Sequence, residues 1–199
     1  MYDFRVEQLS LPDACLIHYP AFGDERGRFS VISESACFAA MAMNTDWVQE
    51  NESLSGVVGT LRGLHAQRPP FAQAKLVRCV AGRILDVFVD ARPASKTCGQ
   101  FLAIELSPDT PCMLYVPKGF LHGFLTLEPD TIVNYKVDTA YAPDHEFSVA
   151  WDDPALGIDW PIEAEKITLS AKDQAGESWA EHATTFAALE MLHDGGGNT

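Results

Sequence analysis

Apolar and polar positions alternate with a period of two through most of the middle of the chain. Residues 75–90 read KLVRCVAGRILDVFVD, two β-rich runs broken at Ala81-Gly82, a break that predicts a hairpin. In the second run Leu85, Val87 and Val89 fall on one face, and Ile84, Asp86 and Phe88 on the other, because successive strand side chains point to opposite sides. Residues 100–106 predict a further strand, ended by Ser107-Pro108-Asp109, and residues 113–116 another, stopped by Pro117-Lys118-Gly119. Residues 120–127 and 131–137 are expected to pair around Glu128-Pro129-Asp130. Short strands with turn residues between them predict an all-β, antiparallel sandwich, barrel or jelly roll. Helix is sparse. Ser35 is placed to cap a short helix over residues 35–43, and the Ala-rich stretch 177–193 carries Trp179, Phe186 and Leu189 at helical spacing. No repeat or linker divides the chain, so residues 1–199 are read as one domain with a frayed tail over 194–199.

Two polar islands interrupt this pattern: Arg62-Gly63-Leu64-His65-Ala66-Gln67, and the stretch from Tyr115 to Phe124 that holds His122. Burying such groups in a sheet costs several kcal/mol unless they are paired or used. Period-two logic puts His65 on the face of Leu61, Lys75 with Val77 and Cys79, His122 with Phe120 and Phe124, and Tyr135 with Val133 and Val137. A lone inward His is usually a satisfied core residue, and an inward Tyr can spend its hydroxyl on a carbonyl. Lysine, however, is almost never fully buried without a partner. Four such groups on separate strands, among bulky apolar neighbours, make the pattern of a ligand pocket.

The remaining composition narrows the chemistry. A net charge of -14 argues against a nucleic-acid binder. It leaves room for an anionic small ligand, because Arg26, Arg28, Arg62, Lys75 and Arg78 cluster in or near the polar islands. Five cysteines without a C-x-x-C pair read as reduced, mostly buried thiols. The opening Met1-Tyr2-Asp3-Phe4 is not that of a secretory signal and no apolar run reaches membrane-spanning length, so the expected compartment is the cytoplasm, with no membrane partner. A zinc or non-haem iron site would want several His and a carboxylate together, and the first island offers one His without an H-x-H partner. A metal-free pocket holding His, Lys and Tyr suits proton abstraction beside a carbonyl: His as base, Lys stabilising the enolate, Tyr returning a proton to the other face. From spacing alone, a plain binding pocket and a metal-dependent β-barrel enzyme stay open beside it.

The ordered segments FGDERGRF (22–29), QENESLSG (49–56), TLRGLHAQRPPFAQAKLVRC (60–79), GRILDVFVDAR (82–92), VPKGFLHGF (116–124), NYKVDTAYAPDHE (134–146), WDDPALGIDWP (151–161) and LSAKD (169–173) resemble the dTDP-4-dehydrorhamnose 3,5-epimerase (RmlC-like) sugar-nucleotide epimerase family. The resemblance implies a cupin-type jelly roll with a few peripheral short helices, a homodimer, no required cofactor, and a nucleotide-linked 4-keto-6-deoxy sugar as substrate. It further implies His65 as general base, Asp173 as its carboxylate partner, Lys75 as the enolate stabiliser and Tyr135 as general acid. Arg62, His122 and Tyr141 would line the site. Arg26, Phe29, Gln49 and Asn51 match positions that bind the nucleotide or diphosphate, some of them in a neighbouring subunit's site. Val31, Glu52 and Ala140 depart from the family pattern. The alternatives are a single-centre epimerase acting on another nucleotide sugar, and a non-catalytic sugar-nucleotide-binding cupin.

Overall fold

The computed structural model describes residues 2–41 and 46–182. Its strands, in chain order, are β1 (Arg5–Gln8), β2 (Cys15–His18), β3 (Ala21–Asp24), β4 (Gly27–Ser30), β5 (Gln49–Ser55), β6 (Leu61–Gln67), β7 (Lys75–Ala81), β8 (Ile84–Asp90), β9 (Phe101–Leu106), β10 (Cys112–Val116), β11 (Phe120–Thr126), β12 (Thr131–Val137) and β13 (Glu146–Ser148). One sheet runs β1-β2-β10-β7-β12-β5, a second β13-β6-β11-β8-β9, and β3 and β4 form a separate hairpin. All these pairings are antiparallel. The all-β jelly roll expected from the pattern is the fold observed.

The central strands of both large sheets are buried on both faces, which explains their long apolar runs. Between them lie Val77, Cys79, Leu114, Val116 and Val133 from one side, and Ile84, Phe88, Leu106, Phe120 and Phe124 from the other. The outer face of the five-stranded sheet carries Leu64, Val87, Val89 and Leu121 under Leu156, Ile158, Trp160 and Trp179. That of the six-stranded sheet carries Ile17, Leu76 and Met113 under Phe38. Phe38 comes from the helix α1 (Ser35–Ala40).

Several expectations are corrected. β7 and β8 do not form a hairpin: β7 pairs with β10 and β12, β8 with β9 and β11. The turn at Gly82 (φ +72°) carries the chain from one sheet to the other. β11 and β12 likewise belong to different sheets. A turn signal fixes where a strand ends and leaves its partner open, and the pattern suits either pairing. Ser35 is the first helical residue rather than the cap; Glu34 holds the cap position and makes no side-chain capping bond. The helix ends at Ala40, with Met41 as its cap, short of the expected Met43, which lies outside the described residues. So does most of the helix expected over 177–193; its start is corrected, since Glu177 forms an isolated bridge with Val149 and only Trp179 to His182 of the described residues are helical. The tail 194–199 also lies outside them.

Candidate active site

One mouth of the interior is left open by the sheets, as a cavity of about 460 Å³. It is lined by Gln49, Asn51, Arg62, His65, Lys75, His122, Tyr135, Tyr141 and Asp173, every expected site residue except two. Arg26 and Phe29 are not brought to it. They stand on the β3–β4 hairpin, where Arg26 pairs with Asp24 at 2.5 Å and Phe29, 65 % exposed, stacks on Phe22 with ring centroids 6.5 Å apart.

Each wall has its own reason for facing inward. On β12, strand alternation puts Tyr135 on the same inward face as the buried Val133 and Val137, opposite Asn51 of β5. On β5 the same alternation turns Gln49, Asn51 and Ser53 to the cavity. β6 breaks the rule. Leu61 packs outward on Leu125 and Trp151, and Leu64 outward on Leu121, yet Arg62 and His65 between and beyond them both line the cavity. The cause is a bulge: Phe124 pairs with Arg62 but His122 pairs with His65, so β6 spends one residue more than β11 over that stretch. Gly63 (φ +129°) makes it possible, since a Cβ there would lie 2.5 Å from the Cα of Gly123. His65 therefore does not share the face of Leu61, as strict alternation predicts.

Asp173 arrives from far along the chain. The segment that carries it is fastened to the second sheet by two isolated bridges, Thr168 to Thr60 just before β6, and Glu177 to Val149 just after β13. A single 3-10 turn, Asp173–Ala175, then presents the carboxylate to β6. His65 Nε2 lies 2.5 Å from Asp173 Oδ1, and the Ser170 hydroxyl donates to Oδ2 at 2.7 Å. Asp173 is buried, which alone would raise its pKa. The bonds from His65 and Ser170, aided by the backbone N–H of Gly63, outweigh burial and hold it below the ordinary carboxylate value.

Across the cavity, burial pushes the Lys75 ammonium down to about 8, against the pull of Asp86 and Glu146. Burial pushes the Tyr135 hydroxyl up, so it keeps its proton at neutral pH. His122, also buried, has its pKa lowered by desolvation, and its Nε2 lies 3.0 Å from both oxygens of Asp86. At the rim the Tyr141 hydroxyl donates to Glu146 at 2.6 Å, its N–H donates to Gln49 Oε1, and Gln49 Nε2 donates to Asn51 Oδ1 at 2.7 Å. Lys172 forms an ion pair with Glu146. Burial raises the Glu146 carboxyl, but Lys172 and Tyr141 more than reverse this.

Glu146, Lys172, Ser170 and Asp86 are among the residues that reasoning from the sequence does not place in or beside the site. The period-two pattern puts Asp86 on the correct face; the others lie in short or irregular segments with no periodicity to read. Among the described residues, no group of three His, Cys, Asp or Glu side chains is arranged to hold a metal ion. The arrangement is a His on one sheet, paired with a carboxylate from the adjoining 3-10 turn, facing a protonated phenol and a buried ammonium on the other sheet.

Comparison with known proteins gives the same direction. The family model for dTDP-4-dehydrorhamnose 3,5-epimerase matches residues 8–181. A dTDP-4-dehydrorhamnose 3,5-epimerase of Sinorhizobium fredii is 44 % identical over 93 % of this chain and 94 % of its own. Among solved structures, the Bacillus anthracis dTDP-4-dehydrorhamnose 3,5-epimerase, with TDP and PPi bound, superposes with a TM-score of 0.85 at 41 % identity, covering 88 % of this chain and 99 % of that one. The Legionella pneumophila dTDP-6-deoxy-D-glucose-3,5-epimerase, in complex with dTDP-4-keto-L-rhamnose, superposes at 0.84 and 37 % identity, covering 90 % and 97 %.

Proposed function

Because the chain belongs to the dTDP-4-dehydrorhamnose 3,5-epimerase family, and is therefore an isomerase of nucleotide-linked 4-keto-6-deoxy sugars, we propose a division of labour among its own side chains. His65 is the base. Its bond to Asp173 orients the ring and stabilises the imidazolium that forms, leaving the other ring nitrogen to take the proton. The C4 ketone of the substrate acidifies the protons at C3 and C5. When His65 removes one, the electron pair moves to O4, and Lys75 stabilises the enolate as an ammonium in a site shielded from water. Tyr135, on the other sheet, donates its proton to the same carbon from the opposite face. The centre is inverted, and the side chains return to their starting state by proton exchange with solvent. Arg62, His122, Gln49, Asn51 and Tyr141 hold the sugar nucleotide.

The observation that carries this reading is the 2.5 Å His65–Asp173 pair facing Tyr135 across the cavity. A binding module needs neither a base nor an acid on opposite walls. The proton chemistry is complete with these groups and calls for no cofactor. The reading includes a homodimer, in which Arg26 and Phe29 of the projecting hairpin serve the neighbouring subunit's site, one domain over the whole chain, and residence in the cytoplasm. No described helix is long and apolar enough to cross a membrane.

Proton NMR of dTDP-4-keto-6-deoxyglucose in D2O tests it. The expected result is loss of the H3 and H5 signals with the wild-type protein and their retention with His65→Asn. Undiminished exchange by a folded His65→Asn protein overturns the role of His65. Loss of one signal alone makes the protein a single-centre epimerase.

A further inference from the structure

Behind the cavity lies a carboxylate that the reaction as described does not use. Asp86 is on β8, 0 % exposed, on the same face as the core residues Ile84 and Phe88. Both of its oxygens lie 3.0 Å from His122 Nε2, one strand away on β11. A buried ionised carboxylate is costly unless neighbouring charge or hydrogen bonds offset it. His122 supplies one N–H, shared between the two oxygens, and no arginine or lysine forms an ion pair with Asp86 within 4.0 Å among the described residues. Lys75 is the reciprocal case: a buried ammonium on β7 that likewise has no ion pair within that distance. Of the charges around it, Asp86 acts most strongly to retain its proton, ahead of Glu146, while Lys172 opposes it.

We propose that Asp86 is a positioning residue for the epimerisation: its carboxylate fixes the His122 ring and supplies the counter-charge that keeps Lys75 an ammonium at the enolate oxygen. This rests on the role given to Lys75 above. His122 donates Nε2–H to Asp86 and is held neutral by burial, so it adds no positive charge of its own. The remaining groups around the cavity divide into pairs already engaged. Asp173 holds His65, and Glu146 holds Lys172 and Tyr141. Arg62 reaches toward Ser55 and the carbonyl of Leu54, and Tyr135 is protonated. Asp86 is thus the carboxylate left to balance Lys75.

Asp86→Asn separates charge from geometry, since the amide oxygen still accepts from His122. Two titrations are read on the full-length protein: the pH dependence of solvent exchange into the substrate, and the 13C resonance of Lys75 in lysine-labelled protein, assigned by its absence in Lys75→Met. In the wild type both midpoints are expected near 8. In Asp86→Asn both move down together by about one pH unit or more, the size of shift one nearby opposite charge produces, and exchange at pH 8 falls accordingly. An unmoved Lys75 resonance in folded Asp86→Asn overturns the inference and leaves the role of Lys75 standing. A Lys75 midpoint that falls while the exchange profile stays put overturns it through Lys75 instead. If Asp86→Asn does not fold, Lys75→Met/Asp86→Asn, which removes both buried charges, is expected to restore folding; failure of the double variant to fold overturns the pairing.

Discussion

His65 acts through a partner 108 positions away, and the consequence is measurable. Asp173→Asn keeps the shape of the pair but withdraws the charge that stabilises the imidazolium. The expected result is a fall in kcat of about 10²–10⁴-fold with KM little changed, since general-base catalysis contributes on that order and Asp173 acts through His65 rather than on bound substrate. Steady-state kinetics check it, and a variant that changes KM alone makes Asp173 a binding residue. At the same scale, Lys75 must be protonated to stabilise the enolate. Exchange should therefore decline as the pH rises through about 8. His65, Lys75, His122 and Tyr135 were legible in the sequence because each interrupts an apolar strand at a position where burial without use would be expensive. Asp173, Glu146 and Lys172 were not legible from periodicity, because they sit in segments shaped by tertiary contacts. Asp173 came from the family resemblance alone, and Glu146 and Lys172 emerge only when β13 and the 3-10 turn are folded against β6.

The elements place these residues, and one crossing of two strands does more than any other. Gly63 on β6 and Gly123 on β11 pass so closely that a Cβ on Gly123 would lie 2.7 Å from the carbonyl oxygen of Arg62. This close approach accommodates the bulge that turns both Arg62 and His65 into the cavity. Gly63→Ala is expected to destabilise the fold by about 1–3 kcal/mol through overpacking and a disfavoured backbone conformation. Each kcal/mol is worth about 2–4 °C in melting temperature at this chain length. It should also abolish exchange by displacing His65, whereas a surface change of the same size should do neither. A thermal melt beside the exchange assay decides it, and full activity in Gly63→Ala would show that the crossing is not what aims His65. Local signals reached the strands but not this bulge. They also reached the turns at Gly82 and Asp130 but not the sheet switch each makes, because strand partners are chosen by packing across the whole core.

At the scale of the whole molecule, buried ionisable groups set the response to acid. His182 is fully buried, stacked on Phe147 with ring centroids 4.5 Å apart, and burial lowers its pKa to about 4. An unfolded His binds its proton near 6.5, so between about 6.5 and 4 the unfolded chain holds more protons than the folded one. Stability is complete above that window and erodes as the pH falls through it. Asp90, held at about 2 by Arg92, Ser95 and Thr97, adds a loss of the same sign at lower pH. Urea midpoints measured from pH 7 to pH 4 should decline, and His182→Phe, which keeps a stacking ring, should flatten the decline. The projecting hairpin belongs to this scale too. Phe22 and Phe29 are 52 % and 65 % exposed, an unusual position for large apolar rings unless something covers them, and Arg26 beside them does not line its own chain's cavity. If the hairpin of one subunit completes the site of the next, two defective chains can repair each other. Co-expressing His65→Asn with Arg26→Ala/Phe29→Ala should yield mixed dimers in which one site carries both defects and the other neither. With random pairing, half the dimers are mixed and half of their sites are whole, so about a quarter of wild-type activity should return at low substrate concentration. Activity no higher than the mean of the two parents would mean that each hairpin serves its own chain or none.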